Sequence, residues 1–202
     1  AVRVLGCNIS DAGVATLLAL PHLTELDVRN CRNVTKEGIE QLAAKKTLRM
    51  LKLGGPGIDD GILELVGQMT QLTGLTLDNC AITDAGVAKL AELPLVDFTV
   101  YQCANVTDEG LAVLAHYEDL ESLELSDVAA TGAALAKLPN PAKLASLNLA
   151  QSRVSDAELS HLTRLTGLKK LNVSQTVLTD AAVETLGALK SLKQLIVTQT
   201  QM

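Results

Sequence analysis

The chain has 202 residues, 48% of them apolar, with one Phe, two Tyr, no Trp and a formal net charge of −6. That acidity disfavours nucleic acid as a partner, because neutralisation of phosphates by Lys and Arg dominates such binding. No apolar run is long enough to span a bilayer. A core so short of aromatics has to be filled by Leu, Val, Ile and Ala side chains of similar size, which suits stacked units of one shape.

The chain opens on Ala1 without a Met, a basic segment or an apolar signal core, and Ala1 falls inside a repeating unit. Val2, Val4, Cys7 and Ile9 fill the later slots of a truncated unit over residues 1–22. Further units begin at Leu23, Leu48, Leu72, Leu95, Leu120, Leu144, Leu168 and Leu192. The stretch from Leu72 to Leu90 shows one complete unit, L-x-x-L-x-L-x-x-C-x-I followed by T-D-A-G-V-A-K-L. The last unit, 192–202, holds a strand and no helix. The phase runs unbroken through the chain, so one domain over residues 1–202 is expected, forming part of a longer protein.

Each L-x-L segment predicts a short strand, because alternate residues point to opposite faces. Leu75 and Leu77 point inward, as do the pairs Leu26/Val28, Leu51/Leu53, Phe98/Val100, Leu123/Leu125, Leu147/Leu149, Leu171/Val173 and Leu195/Val197. Helices are expected to follow, with N-caps at Ser10, Thr35, Asp59, Thr83, Thr107, Thr131, Ser155 and Thr179. Asp11, Asp60, Asp84, Asp108, Asp156 and Asp180 come next, suited to the positive end of a helix dipole. Gly13, Gly38, Gly86, Gly110, Ala134 and Ala182 lie two positions further on, where small residues predict close approach of the helix start to the strand layer. Two stretches depart from the pattern. Gly54-Gly55-Pro56-Gly57 puts Pro in the Cys slot, and Pro139 and Pro141 end a short Ala-rich helix early.

Cys7, Cys31, Cys80 and Cys103 share one slot after the strand, which predicts a buried ladder of free thiols. Free thiols fit a reducing, cytoplasmic compartment better than an oxidising one. No C-x-x-C spacing points to a metal, and none is expected. His22, His116 and His161 lie in separate units, and no Ser or Cys forms a catalytic constellation with them. There is no nucleophile elbow, phosphate loop or zinc-protease motif either. No cofactor and no enzymatic activity are expected.

The repeating string matches the leucine-rich-repeat signature, so the fold expected is an α/β solenoid: a right-handed arc of about nine parallel strands on the concave face, with helices on the convex face. The segments Asn30–Ile39 and Gln102–Leu111 resemble the cysteine-containing class of leucine-rich repeats best. In F-box proteins of that class the repeats recognise substrates for ubiquitin ligases. The 24-residue spacing, with Thr83-Asp84-Ala85 and Thr179-Asp180-Ala181, is more similar to bacterial, planctomycete-like repeat proteins. This chain itself contains no F-box, and its C-terminal units have lost the Cys.

Solenoids bind partners on their extended concave surface. The outward strand residues run from a mostly basic group (Arg3, Glu25, Asp27, Arg29, Arg49, Lys52) to an acidic one. Asp78, Asp97, Glu121, Glu124 and Asp127 carry the middle rungs with no Lys or Arg among them, and Lys169, Lys170, Lys193 and several amides follow. Tyr101 sits beside the acidic group as the one aromatic expected to be exposed there. The expected function is a monomeric interaction module for a protein or peptide with a basic segment, held by Tyr101, Asp78, Asp97, Glu121, Glu124, Asp127, Arg29 and Lys52. Substrate recognition within a larger regulatory protein, such as a ubiquitin-ligase adaptor, is the alternative; a catalytic site on the repeats is the remote one.

Overall fold

The computed structural model describes residues 1–202. Nine strands form one sheet, ordered as in the chain and parallel throughout: β1 (Val2–Arg3), β2 (Glu25–Asp27), β3 (Met50–Gly54), β4 (Gly74–Asp78), β5 (Asp97–Tyr101), β6 (Ser122–Ser126), β7 (Ser146–Asn148), β8 (Lys170–Asn172) and β9 (Gln194–Ile196). Corresponding slots face each other, as in Leu51↔Leu75, Leu75↔Phe98 and Phe98↔Leu123. Every consecutive pair of strands is joined by a crossover, and five crossovers carry an α-helix: α1 (Asp11–Leu18), α2 (Lys36–Ala43), α3 (Asp60–Val66), α4 (Asp84–Ala88) and α5 (Ala182–Gly187). The others wind as tighter 3-10 turns at Gly110–His116, Ala133–Lys137, Pro141–Lys143 and Glu158–Arg164. Around residues 137–143 the cause is legible, because Pro139 and Pro141 cannot donate the backbone bonds of an α-helix. This is the expected leucine-rich-repeat solenoid.

The inward Leu, Val and Ile side chains merge into one continuous apolar core. Two aromatics sit in its middle. Phe98 and Tyr117 meet edge to face with ring centroids 5.7 Å apart, and the Tyr117 hydroxyl donates to the Leu90 carbonyl at 3.2 Å.

Each strand leaves the sheet through a residue in the left-handed region: Gly6, Asn30, Gly55, Asn79, Gln102, Asp127, Gln151, Gln175 and Gln199. The Cys slot follows. Cys31, Cys80 and Cys103 are buried and unpaired, as expected, whereas Cys7 is exposed. The thiols lie near backbone carbonyls, Cys31 Sγ 2.9 Å from Val4 O and Cys103 Sγ 3.3 Å from Tyr101 O. Ser152 and Thr176 use the same slot to donate to Leu149 O and Val173 O, both at 2.6 Å. The neighbouring Cys103 thiol and burial push Cys80 up, away from the reactive thiolate.

The helix starts are tied together by a feature the cap positions did not reveal. Asp84 accepts both the backbone N–H and the hydroxyl of Thr107, one unit ahead, each at 2.7 Å. Asp11 does the same for Thr35, Asp60 for Thr83, Asp108 for Thr131 and Asp156 for Thr179. At Gly38, Gly86 and Gly110 the small residue serves this ladder rather than the strand layer, whereas a Cβ at Gly13 would meet the Ile9 side chain. A Cβ at Gly38 would lie 2.2 Å from Asp11 Oδ1, and one at Gly86 would lie 2.1 Å from Asp60 Oδ1. Lys36 and Gly132 stand where the ladder would need an Asp. After those gaps Asp59 caps its own helix through Ile62 N–H, and Ser155 bonds to Glu158 instead.

Candidate functional site

The open face of the sheet is built from the residues between the inward leucines, and most of its charges neutralise one another. Arg29 grips Asp27 with two parallel bonds, Nε to Oδ1 at 3.0 Å and the second guanidinium nitrogen to Oδ2 at 2.9 Å. The fork covers Asp27 so completely that the carboxylate, expected to face solvent, is 2% exposed. Burial works against its charge, but the Arg29 side chain and backbone N–H bonds prevail and hold Asp27 below the ordinary carboxylate range. Lys52 Nζ reaches Glu25 Oε1 at 3.0 Å, with Arg3 at 3.6 Å on the same oxygen. The Lys52 bond lowers Glu25.

Two strand glycines determine how far these side chains travel. Arg29 extends past β3 to reach Asp78 on β4 at 3.1 Å. It can do so because Gly54 lies in its path, where a Cβ would stand 3.0 Å from Arg29 Cγ and 2.8 Å from the Asp78 carbonyl oxygen. Gly74 does the same for Met50, whose Cε would lie 2.2 Å from a Cβ there. The Met50 thioether therefore lies across β4 toward Asp97. Neither glycine nor Met50 was expected to shape this face; a glycine at an outward strand slot was the available signal.

Arg29, Lys52, Thr76, Asp78, Thr99, Tyr101 and Glu124 surround one hollow of about 200 Å³. Five of the eight residues expected to bind a partner thus meet at one place. Asp97, at the start of β5, feels both Lys52 and Glu124. Burial first, and then Glu124, raise Asp97 against the opposing pull of Lys52. Glu124 forms no ion pair and accepts from Ser126 Oγ at 3.0 Å and Asn148 Nδ2 at 3.1 Å. The other two residues lie apart from the hollow. Glu121 is exposed just before β6, and Asp127 follows β6 at a left-handed turn on the rim. Toward the C-terminal end the face carries a network of amides and hydroxyls, with Thr198 donating to Ser174 and Ser174 to Asn172, beside the exposed Lys170 at the start of β8.

The open face is therefore polar, with two cations and two carboxylates around its central hollow, Glu124 being the carboxylate there without an ion pair, and Tyr101 half-exposed among the charges. No cluster of His, Cys, Asp or Glu is arranged to hold a metal, and no helix is long and apolar enough to cross a membrane.

In comparison with known proteins, the Leucine Rich repeat family pattern matches residues 19–43 and 68–91. The structure resembles an internalin (InlF) from Listeria monocytogenes, with a TM-score of 0.66, 23% identity and 98% of this chain aligned. It also resembles a leucine-rich-repeat protein of Leptospira interrogans (TM-score 0.65, 20% identity, 92% of this chain). A third similar structure is a TLR13 complex with single-stranded RNA (TM-score 0.59, 25% identity, 95% of this chain). The chain spans 61%, 46% and 27% of those three chains respectively. By sequence, no curated protein matches it.

Proposed function

We infer that this leucine-rich-repeat solenoid is a protein-binding module, without catalysis of its own, whose open sheet face receives a basic segment of its partner. The supporting observation is an imbalance at the central hollow. Asp27, Asp78 and Glu25 have cations of their own, whereas Glu124 has none and Asp97 is half-buried with its ionisation disfavoured. A Lys or Arg brought in by a partner would satisfy both acids with the thioether of Met50 against its aliphatic stem. The ring of Tyr101, four residues beyond Asp97 on β5, would meet a neighbouring residue of the same segment. Tyr is over-represented among the residues that dominate interface energies, and complementary charge sets orientation and association rate.

The test begins with affinity capture by the 202-residue chain, followed by calorimetry on the purified complex. Tyr101→Ala and Glu124→Lys are each expected to weaken binding about tenfold or more, corresponding to roughly 1.4 kcal/mol. Affinities unchanged in both variants would overturn the reading.

A further inference from the structure

We propose a second site at the carboxyl ends of strands β1–β4, a trough that takes the free C-terminal carboxylate of an extended peptide, with Arg32 forked onto the carboxylate and the Asn30 and Asn79 side chains bonded to the peptide backbone.

The trough has a structural cause in two neighbouring units. Unit two has one extra residue between its left-handed turn and its helix, and the exposed Arg32 falls in this longer turn at the side of the hollow. Unit three is the one with Gly-Gly-Pro-Gly, so its turn contributes almost no side chain as a floor. A hollow of about 900 Å³ results, lined by Gly6, Asn8, Asn30, Arg32, Gly55, Gly57 and their neighbours.

Its chemistry is specific. No carboxylate lines the trough, and Arg32 takes part in none of the chain's ion pairs. The only group of Asn8 engaged by another side chain is its backbone carbonyl, which accepts from Asn33 at 3.4 Å. Asn30 and Asn79 occupy left-handed turn positions on either side of Gly55, at φ 59° and 53°; their backbone N–H groups donate to Gly54 O and Tyr101 O, which leaves the side-chain carboxamides to the trough. Two rungs of a sheet separate them by about 9.6 Å, close to the length of three extended residues, about 10 Å. A carboxamide offers one acceptor and its donors in the same array as a peptide unit. A guanidinium matches a carboxylate with two parallel bonds. Amides spaced to follow a main chain and one uncompensated cation at the end of the row fit a chain terminus. A sugar acid would share the carboxylate but would find no aromatic ring in the trough to stack on.

This site stands independently of the central hollow, and its probe contains no basic residue. The ¹⁵N-labelled full chain is titrated with N-acetyl-Gly-Ser-Ala-Ser as the free acid, as its C-terminal amide, and with glucuronate. The free acid is expected to shift the amide signals of Asn30, Gly55, Gly57 and Asn79 saturably, and to bind at least tenfold tighter than the amide. Arg32→Ala is expected to abolish that preference. Gly57→Leu should block binding while the rest of the spectrum is kept, since a Cβ at Gly57 meets nothing within 4 Å and its φ is not positive. Equal binding of acid and amide, an unchanged preference in Arg32→Ala, or tighter binding of glucuronate than of the peptide would each overturn the proposal. The Glu124→Lys variant should bind the probe normally, so failure here and failure of the basic-segment reading are separable.

Discussion

At the scale of single residues, the unit is held to its neighbour by a carboxylate that looks, in isolation, like a dipole partner. Asp11 accepts the Thr35 N–H and hydroxyl at 2.8 Å each, so a long-range contact recurs with the period of the repeat. Its corollary is the glycine or alanine at the next helix start, which must leave room for that carboxylate. Gly38→Ala should therefore destabilise the chain by about 1–2 kcal/mol, because the new methyl displaces a hydrogen-bonded acceptor. Asp11→Ala should cost about 1 kcal/mol for the bonds lost. The two contacts a Cβ at Gly38 makes most closely are both with the Asp11 carboxyl, so the double variant should cost less than the sum of the two. Urea unfolding of the three variants checks this. Strict additivity would mean that the helix start is crowded by something other than Asp11.

At the scale of the strand, what was legible in the sequence divides by distance along the chain. The L-x-L alternation showed each strand, its inward face and its place in the order, because those depend only on neighbours one and two residues away. The Thr-Asp pair showed where each strand-to-helix turn ends. Of the eight expected N-caps, though, only Asp59 and Thr83 accept a helix N–H, and after Thr107, Thr131, Ser155 and Thr179 the helix begins two or three residues later. The destination of the Asp, the Arg29 to Asp78 reach across Gly54 and the separation of Glu121 and Asp127 from the hollow depend on which side chains meet between rungs, and no local pattern encodes that. The strand scale also sets the response to pH. Asp97 on β5 has its folded-state pKa raised above the unfolded value, by burial and by Glu124. Stability is then fully present when both states are protonated and falls as pH rises from the ordinary carboxylate range through the Asp97 value. Asp97→Asn should stabilise the chain at pH 7 and leave its stability unchanged at pH 3, in urea titrations at the two pH values. Glu25 and Asp27 act with the opposite sign. Their lowered values contribute stability above the unfolded carboxylate pKa that is lost as pH falls through the folded one. A carboxylate whose presence costs stability on the open face, between strands that elsewhere pair their charges, is the arrangement expected where a partner's cation completes the site.

At the scale of the whole molecule, the solenoid is one-dimensional, and its stability is a sum over neighbouring rungs. The rungs are unequal. Strands β3 to β6 are five residues long and pair along their full length, whereas β7, β8 and β9 are three residues each. Burial fades in the same direction: Leu75 and Leu77 are fully covered, whereas Leu195 on β9 is 41% exposed. The N-terminal end is as thin, with two residues in β1, three in β2 and Leu5 52% exposed, so local opening should begin at the terminal rungs and reach the centre last. Native-state hydrogen exchange should find the slowest amides in β4, β5 and β6 and faster ones in β8 and β9. Leu75→Ala, at a site with no exposed surface, should cost about 3–5 kcal/mol and accelerate exchange across the whole chain. Leu171→Ala lies closer to a loose end, so much of its cost is absorbed by opening that already occurs there. It should accelerate β7 to β9 while leaving β4 and β5 protected. Exchange accelerated equally in all strands by Leu171→Ala would show instead that the nine rungs unfold as one unit. The hollow would then owe its rigidity to the entire chain rather than to the central rungs that build it.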